Sequence, residues 1–155
     1  TVGVHGASMA HRSNYLDLDP TYTDRHGRPL LRMTYDFTLN DRRLTAHITP
    51  VAEEIARGMG GREVNVAERK GSYDSMPYQT THNTGGTIMG TDPQTSVCNR
   101  YCQSWDLHNL FVAGAGLFPQ NAGYNPTGTV AALAYWSVAA IIDQYMADPG
   151  PLVQA

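Results

Sequence analysis

Two short stretches carry the residues best suited to chemistry: THNTGGTIMG at 81–90 and NAGYNPTGT at 121–129. His82 can take up a proton near neutral pH. Gly85 and Gly86 follow it, and a backbone without Cβ atoms can lie close against a flat ligand. Asn125 offers both a donor and an acceptor, just before Pro126, whose ring suits a first helical position. A helix starting there would turn its first amides, and their partial positive charge, toward whatever lies beside Asn125. Each residue also has a plainer role when read alone. His82 would then be a loop histidine donating to a carbonyl, and Asn125 a helix N-cap.

The surrounding pattern says how such residues would be held. NYLDLDP (14–20) alternates apolar and polar and reads as a strand stopped by proline. DRHGRP (24–29) is turn chemistry, with Gly27 free to take positive φ. LLRMTYDF (30–37) alternates again, with Leu31, Met33, Tyr35 and Phe37 on one side and Arg32, Thr34 and Asp36 on the other. Together they predict an antiparallel pair with one face covered. A helix is expected after Asn40 or Asp41, either of which could cap it, with Leu44, Ile48, Val51 or Ala52, and Ile55 at helical spacing. Pro50 should kink or split it. REVNVAE (62–68) is a short strand candidate, and 71–96 has almost no periodicity, as in a functional or disordered segment. NLFVAGAG (109–116) reads as a buried strand entering a glycine turn. LFPQNAGYNPTGT then forms a loop, and a helix capped by Asn125 runs on to Asp148-Pro149. Strand, glycine turn, loop and helix start is an order that often sets backbone amides against a ligand.

Bulk properties narrow the alternatives. The chain has 155 residues, one domain's worth, and begins at Thr1 as a piece cut from a longer protein would. A net charge of -3 gives no reason to expect nucleic acid or an acidic membrane surface. The apolar stretch Val130–Ile142, broken by Trp136 and Ser137, is too short to cross a membrane. Cys98 and Cys102 are the two cysteines; they are expected as free, half-buried thiols, with a disulfide the alternative in an oxidising compartment. No metal site is expected, since only His108 lies near them. His5, His11, His26, His47 and His108 show no ligand spacing. There is no phosphate-binding lysine loop and no nucleophile elbow, and GAGLFP lacks the full GxGxxG pattern.

HNTGGTIMG, followed in order by NLFVAGAGLFPQNAGYNPTGTVAALAY, resembles the C-terminal part of the glucose-methanol-choline (GMC) flavin oxidoreductases. Within that family the likeness is to sugar and sugar-acid dehydrogenase large subunits of the gluconate 2-dehydrogenase, fructose dehydrogenase and FAD glucose dehydrogenase type. YLDLDPTYTDRHGRPLLRMTYDF and DPGPL support it. The resemblance implies an α+β fold: antiparallel substrate-domain strands with a helix, then a strand-loop-helix piece completing the FAD-binding domain. It implies that 1–80 belongs to the substrate-binding domain, 81–147 to the C-terminal segment of the FAD-binding domain with the active-site loops, and 148–155 to a tail.

It further implies that His82 is the base and that Asn125 is the second catalytic residue. Gly114, Ala115, Asn125, Pro126 and Thr127 would approach FAD. The substrate would be a sugar or sugar acid, oxidised by hydride transfer to flavin N5. A small subunit and a haem c subunit are the implied partners, in a periplasmic or membrane-associated bacterial setting. One departure stands out: many relatives carry Asp-Gly where this chain has Ala113-Gly114 or Gly114-Ala115, so a carboxylate contact to the cofactor is absent or supplied elsewhere. Cys98 and Cys102 do not match the iron-sulfur cysteines of some relatives. The family's nucleotide-binding βαβ unit does not lie in these residues, so the chain alone is expected to hold at most half an FAD site and to be inactive. The rival readings are a sugar or glycoside oxidase using oxygen, and a non-catalytic domain binding sugar or a partner.

Overall fold

A computed structural model of the protein describes residues 1–67, 71–76 and 82–152. The chain divides into two compact units, Thr1–Gln79 and Thr80–Ala155. The α+β expectation is met, with an antiparallel hairpin and a helix in the first unit and a loop-rich body with a second helix in the other.

In the first unit β1 (Tyr15–Thr23) pairs antiparallel with β2 (Pro29–Thr34). Gly27 takes φ 77 in the turn, where the Asp24 carboxylate accepts the amides of His26 and Arg28 at 2.7 and 3.0 Å. β1 runs through Pro20 instead of stopping at it. The register is irregular between Leu18 and Thr23, and there the Asp19 carboxylate accepts the amides of Thr21 and Tyr22, both at 2.8 Å. A proline is tolerated where the ladder is already broken, and Asp19 satisfies the amides that the break releases. Those two bonds hold the Asp19 carboxyl below the usual carboxylate range.

Alternation sets the faces as expected: Leu16 faces Met33 and Leu18 faces Leu31, while Asp17 and Arg32 form an ion pair on the opposite side. The apolar side, however, is open. Leu18 and Leu31 are 63% and 69% exposed. Period-two patterning decides which side chains share a face, not what covers it.

α1 (Leu39–Gly58) is one helix. Its cap is Thr38, not Asn40 or Asp41. Asp41 instead completes a capping box, in which the Thr38 hydroxyl accepts the Asp41 amide and the Asp41 carboxylate accepts the Thr38 amide. Pro50 does not split the helix. Its side and that of Ala46 are exposed, so water can satisfy the Ala46 carbonyl that the missing N–H leaves without a donor. Leu44, Ile48 and Ala52 lie on the half-covered side, whereas Val51 and Ile55 are exposed.

Asp36 ties the unit together. Its carboxylate accepts the amides of Tyr73 at 2.8 Å and Phe37 at 2.7 Å and pairs with Arg42. These contacts, the amides first, hold its carboxyl below the usual range. Tyr35, Phe37 and Tyr73 pack edge-on around it. Residues 62–67 of the expected REVNVAE strand form no strand; Glu68 lies outside the described residues.

Every fully buried apolar residue described lies in the second unit. One cluster joins Cys98, Cys102 and Leu117, with Met89, Val112 and Leu133 packed on it. Another joins Tyr101, Ala140 and Leu152 with Phe111 and Tyr145. The strand expected over 109–116 is reduced to a bridge between Phe111 and Gln103, flanked by bonds from Ser104 N to Leu110 O and Val112 N to Cys102 O, both 2.9 Å. Nor is the run buried: Leu110 is exposed and Phe111 and Val112 are half-buried, because an apolar run specifies neither its cover nor the neighbouring backbone that a longer ladder needs.

The order of pairing segment, loop and helix holds. α2 (Thr127–Ala140) continues as a π-turn over Ile141–Tyr145. Its N-cap is Pro126, without a side-chain cap bond, so Asn125 does not cap the helix. Pro126 sits at φ -84, ψ -8, already helical, which moves the cap one residue past Asn125.

Replacing Thr38 by Ala removes the reciprocal capping bond of α1. We expect a loss of about 1 kcal/mol in denaturant unfolding followed by far-ultraviolet circular dichroism, and Thr38→Ser should recover most of it.

Candidate active site

The site is assembled by backbone pairing within the second unit. Gly85 N donates to Ala115 O at 3.2 Å, Thr87 N to Gly116 O at 2.9 Å and Met89 N to Leu117 O at 2.9 Å. This short ladder lays the segment after His82 along the glycine turn. On its other side Val97 N donates to Ile88 O and Gly90 N to Cys98 O, both at 2.9 Å. The 85–90 segment is therefore held from two directions. Met89 and Leu117 meet in the cysteine-lined core, so apolar burial fixes the register of the ladder.

Close approach requires glycine at 116. A Cβ there would lie 2.7 Å from Thr87 Oγ1, on the paired segment. Gly114 has a different role. It sits at φ 113, ψ -179, a conformation that L side chains rarely adopt, and a Cβ would meet nothing within 4 Å. The backbone at Gly114 thus borders open space, which suits approach of a flat ring. Beyond Phe118 the chain passes through Asn121, whose Nδ2 donates to the His82 carbonyl at 3.1 Å across 39 residues of sequence. The loop then leads to Asn125, Pro126 and Thr127.

His82 is half-buried and Asn125 exposed. Among the described residues the Asn125 side chain has no hydrogen-bond partner. The first turn of α2 likewise has no side-chain cap: Val130 N is satisfied by Pro126 O at 3.0 Å, and the amides before it have no acceptor within the helix. The structure therefore brings the His82 backbone to Asn121, and the His82 segment to Ala115, Gly116 and Leu117. Of the residues expected to approach FAD, Gly114 is open, Ala115 spends its carbonyl on the ladder, and Asn125, Pro126 and Thr127 form the uncapped start of α2. Open backbone at Gly114 and free amides at a helix start together fit a flavin, whose ring is flat and gains negative charge on reduction.

Residues 98–105 hold organising groups that the sequence reading passed over. Asn99 Oδ1 accepts the amides of Tyr101 and Gln103 at 2.9 and 3.2 Å. The Gln103 amide donates to the carbonyls of His108 and Gly150 at 2.7 and 2.8 Å and accepts Leu152 N at 2.8 Å. Buried, fully satisfied amides of this kind make the loop rigid. Cys98 and Cys102 are fully buried, not half-buried, and free of each other. Burial first, and Cys102 beside it second, push the Cys98 thiol up to about 11. Burial also raises Cys102, opposed by the Ser137 hydroxyl. Both are protonated near neutrality, unlike ligands or nucleophiles. No group of three or more metal-ligating side chains occurs among the described residues.

Residues 10–134 match the GMC oxidoreductase family model. The chain belongs to the GMC oxidoreductase family. It is 51% identical, over all of its length, to the gluconate 2-dehydrogenase flavoprotein of Pantoea cypripedii, covering 26% of that protein. The fructose dehydrogenase large subunit of Gluconobacter japonicus is 35% identical over 84% of the chain and 23% of that protein. A C-glycoside 3-oxidase of Arthrobacter globiformis is 33% identical over 86% of the chain and 25% of that protein. The chain thus spans about a quarter of the length of these GMC relatives. Among the described residues no helix is long and apolar enough to cross a membrane.

The Gly116–Thr87 contact gives a direct check on the ladder. Gly116→Ala should destabilise the protein by about 1–3 kcal/mol through overpacking, read as a lowered urea midpoint. Thr87→Ala in the same background should recover most of that loss, and Thr87→Ser, which keeps the oxygen, should not.

Proposed function

We propose that this chain is the C-terminal portion of an FAD-dependent dehydrogenase that oxidises a CH–OH group of a sugar or sugar acid, with His82 as base and Asn125 orienting the substrate oxygen. The observation that carries the reading is the ladder of 85–89 on 115–117. It holds the segment that follows His82 against the turn where Gly114 leaves backbone open. Likeness to a gluconate 2-dehydrogenase flavoprotein along the whole chain supports the substrate class.

Oxidising a hydroxyl to a carbonyl removes a proton from oxygen and a hydride from carbon. A flavin bound here supplies the hydride acceptor, N5. The protein's own task is to take the proton and fix the alcohol. His82 accepts the hydroxyl proton on a ring nitrogen, the task of a positioned general base. Asn125 cannot act as a base, but its free amide can hold the substrate oxygen so that its proton points at His82. The uncapped amides at the start of α2 stabilise negative charge that develops nearby. Backbone at Gly114 and Ala115, and at Pro126 and Thr127, would line the approach of FAD.

The same reading carries a small subunit and a haem c subunit as electron-accepting partners, in a periplasmic or membrane-associated setting. A dehydrogenase is favoured over an oxidase because the oxidase relative stands at 33% identity against 51% for the dehydrogenase. Peroxide release by the flavin-loaded holoenzyme would reverse that preference.

In the holoenzyme carrying this sequence, His82→Ala should lower kcat by about 10²–10⁴-fold, the worth of a positioned base. Asn125→Ala should lower it by roughly tenfold to a hundredfold, from one lost bond to the reacting oxygen. Unchanged turnover in both variants would leave a non-catalytic binding domain as the better reading.

A further inference from the structure

We propose that Asn121 is a positioning residue for His82: its side-chain amide clamps the carbonyl of the histidine and thereby sets where the imidazole starts from. This deepens the proposed function and rests on His82 being its base.

Among the described residues, two anchors on His82 and the three residues after it come from the other side of the site. The first is the Asn121 Nδ2 bond to the His82 carbonyl at 3.1 Å, and the second is the Gly85 N bond to Ala115 O at 3.2 Å. The ladder proper begins at Gly85, so its hold on the histidine passes through Asn83 and Thr84. Those two residues leave backbone torsions that can swing the His82 Cα unless its own peptide is tied. The Asn121 bond ties it. Both residues are half-buried, so water competes weakly for the bond.

The chemistry of the clamp selects asparagine. A carbonyl needs a donor, and the carboxylate of an aspartate, which has nearly the same shape, offers only acceptors. Asn121→Asp would therefore set oxygen against oxygen at 3.1 Å without changing the volume of the side chain. Asn121 also lies four residues before Asn125, with Gly123 between them. One loop would thus orient both partners of the substrate hydroxyl: the base through its backbone and the oxygen-holding amide directly.

The test uses the flavin-loaded holoenzyme and stopped-flow reduction of its flavin under anaerobic conditions, with gluconate, fructose and glucose offered in turn. Asn121→Asp and the uncharged Asn121→Ser are each made alone and combined with His82→Ala. With flavin content and melting temperature retained, we expect the limiting reduction rate to fall by roughly tenfold to a hundredfold. Substrate half-saturation should change little. In the His82→Ala background the same substitutions should cost nothing further, because a residue that acts through His82 has nothing left to position.

Three results overturn the inference while leaving the base assignment standing, provided His82→Ala itself is slow: an unchanged rate in both Asn121 variants, a loss that adds in full to that of His82→Ala, or loss of flavin in both variants. A His82→Ala enzyme that reduces its flavin at the normal rate, or a wild-type enzyme reduced by none of the three sugars, overturns the proposed function and this inference with it.

Discussion

Three amide-to-carbonyl bonds, from Gly85, Thr87 and Met89 to Ala115, Gly116 and Leu117, hold the site-forming segments of the second unit together. Each such bond contributes only about 0.5–1.5 kcal/mol net. Burial of one large apolar side chain contributes about 1.5–3 kcal/mol. Burial therefore decides where the ladder forms and in which register, and the bonds complete it. Leu117 is 1% exposed and packs on Cys98 and Cys102, while Met89 leans on the same cluster from the opposite segment. Leu133 brings α2 to that cluster. The thiols serve as small apolar wedges in this arrangement, which is consistent with the burial that keeps them protonated.

The rest of the site follows from that constraint. With 115–117 fixed, Gly114 turns its backbone outward at the end of the ladder, and the chain leaving Phe118 must pass back across the His82 segment. Asn121 makes the return contact, and the loop reaches the helix start with its amides still uncapped. A cap by Asn125 would have satisfied one of those amides internally and blunted their partial positive charge. Displacement of the cap to Pro126 leaves both the Asn125 side chain and the helix end free for a ligand.

Residue types and spacing made some of this legible and left some of it hidden. Turn chemistry placed Gly27 correctly, and period-two alternation gave the hairpin and its faces, because both depend only on neighbours in sequence. Motif order identified the family, since HNTGGTIMG and NAGYNPTGT occur together and in sequence. Helix boundaries were less legible. Asn40, Asp41 and Asn125 all looked like caps, but a cap is decided by backbone torsions, and Thr38 and Pro126 had the right ones. The cover of the hairpin's apolar face was not legible at all, because Leu18 and Leu31 carry the same signal whether or not anything packs on them. Asn99, Gln103 and Asn121 escaped notice for a related reason: their partners are backbone atoms, and a carbonyl leaves no trace in a sequence.

The most direct measurement is an experimental structure of the flavin-loaded holoenzyme with a non-reacting sugar analogue bound. The expected result has a His82 ring nitrogen within about 2.6–3.2 Å of the analogue's oxygen, the Asn125 amide on that same oxygen, and the backbone of Gly114 and the start of α2 against the flavin. A His82 ring turned away from the flavin, or an Asn125 amide on the far side of it from the analogue, would contradict the assignment.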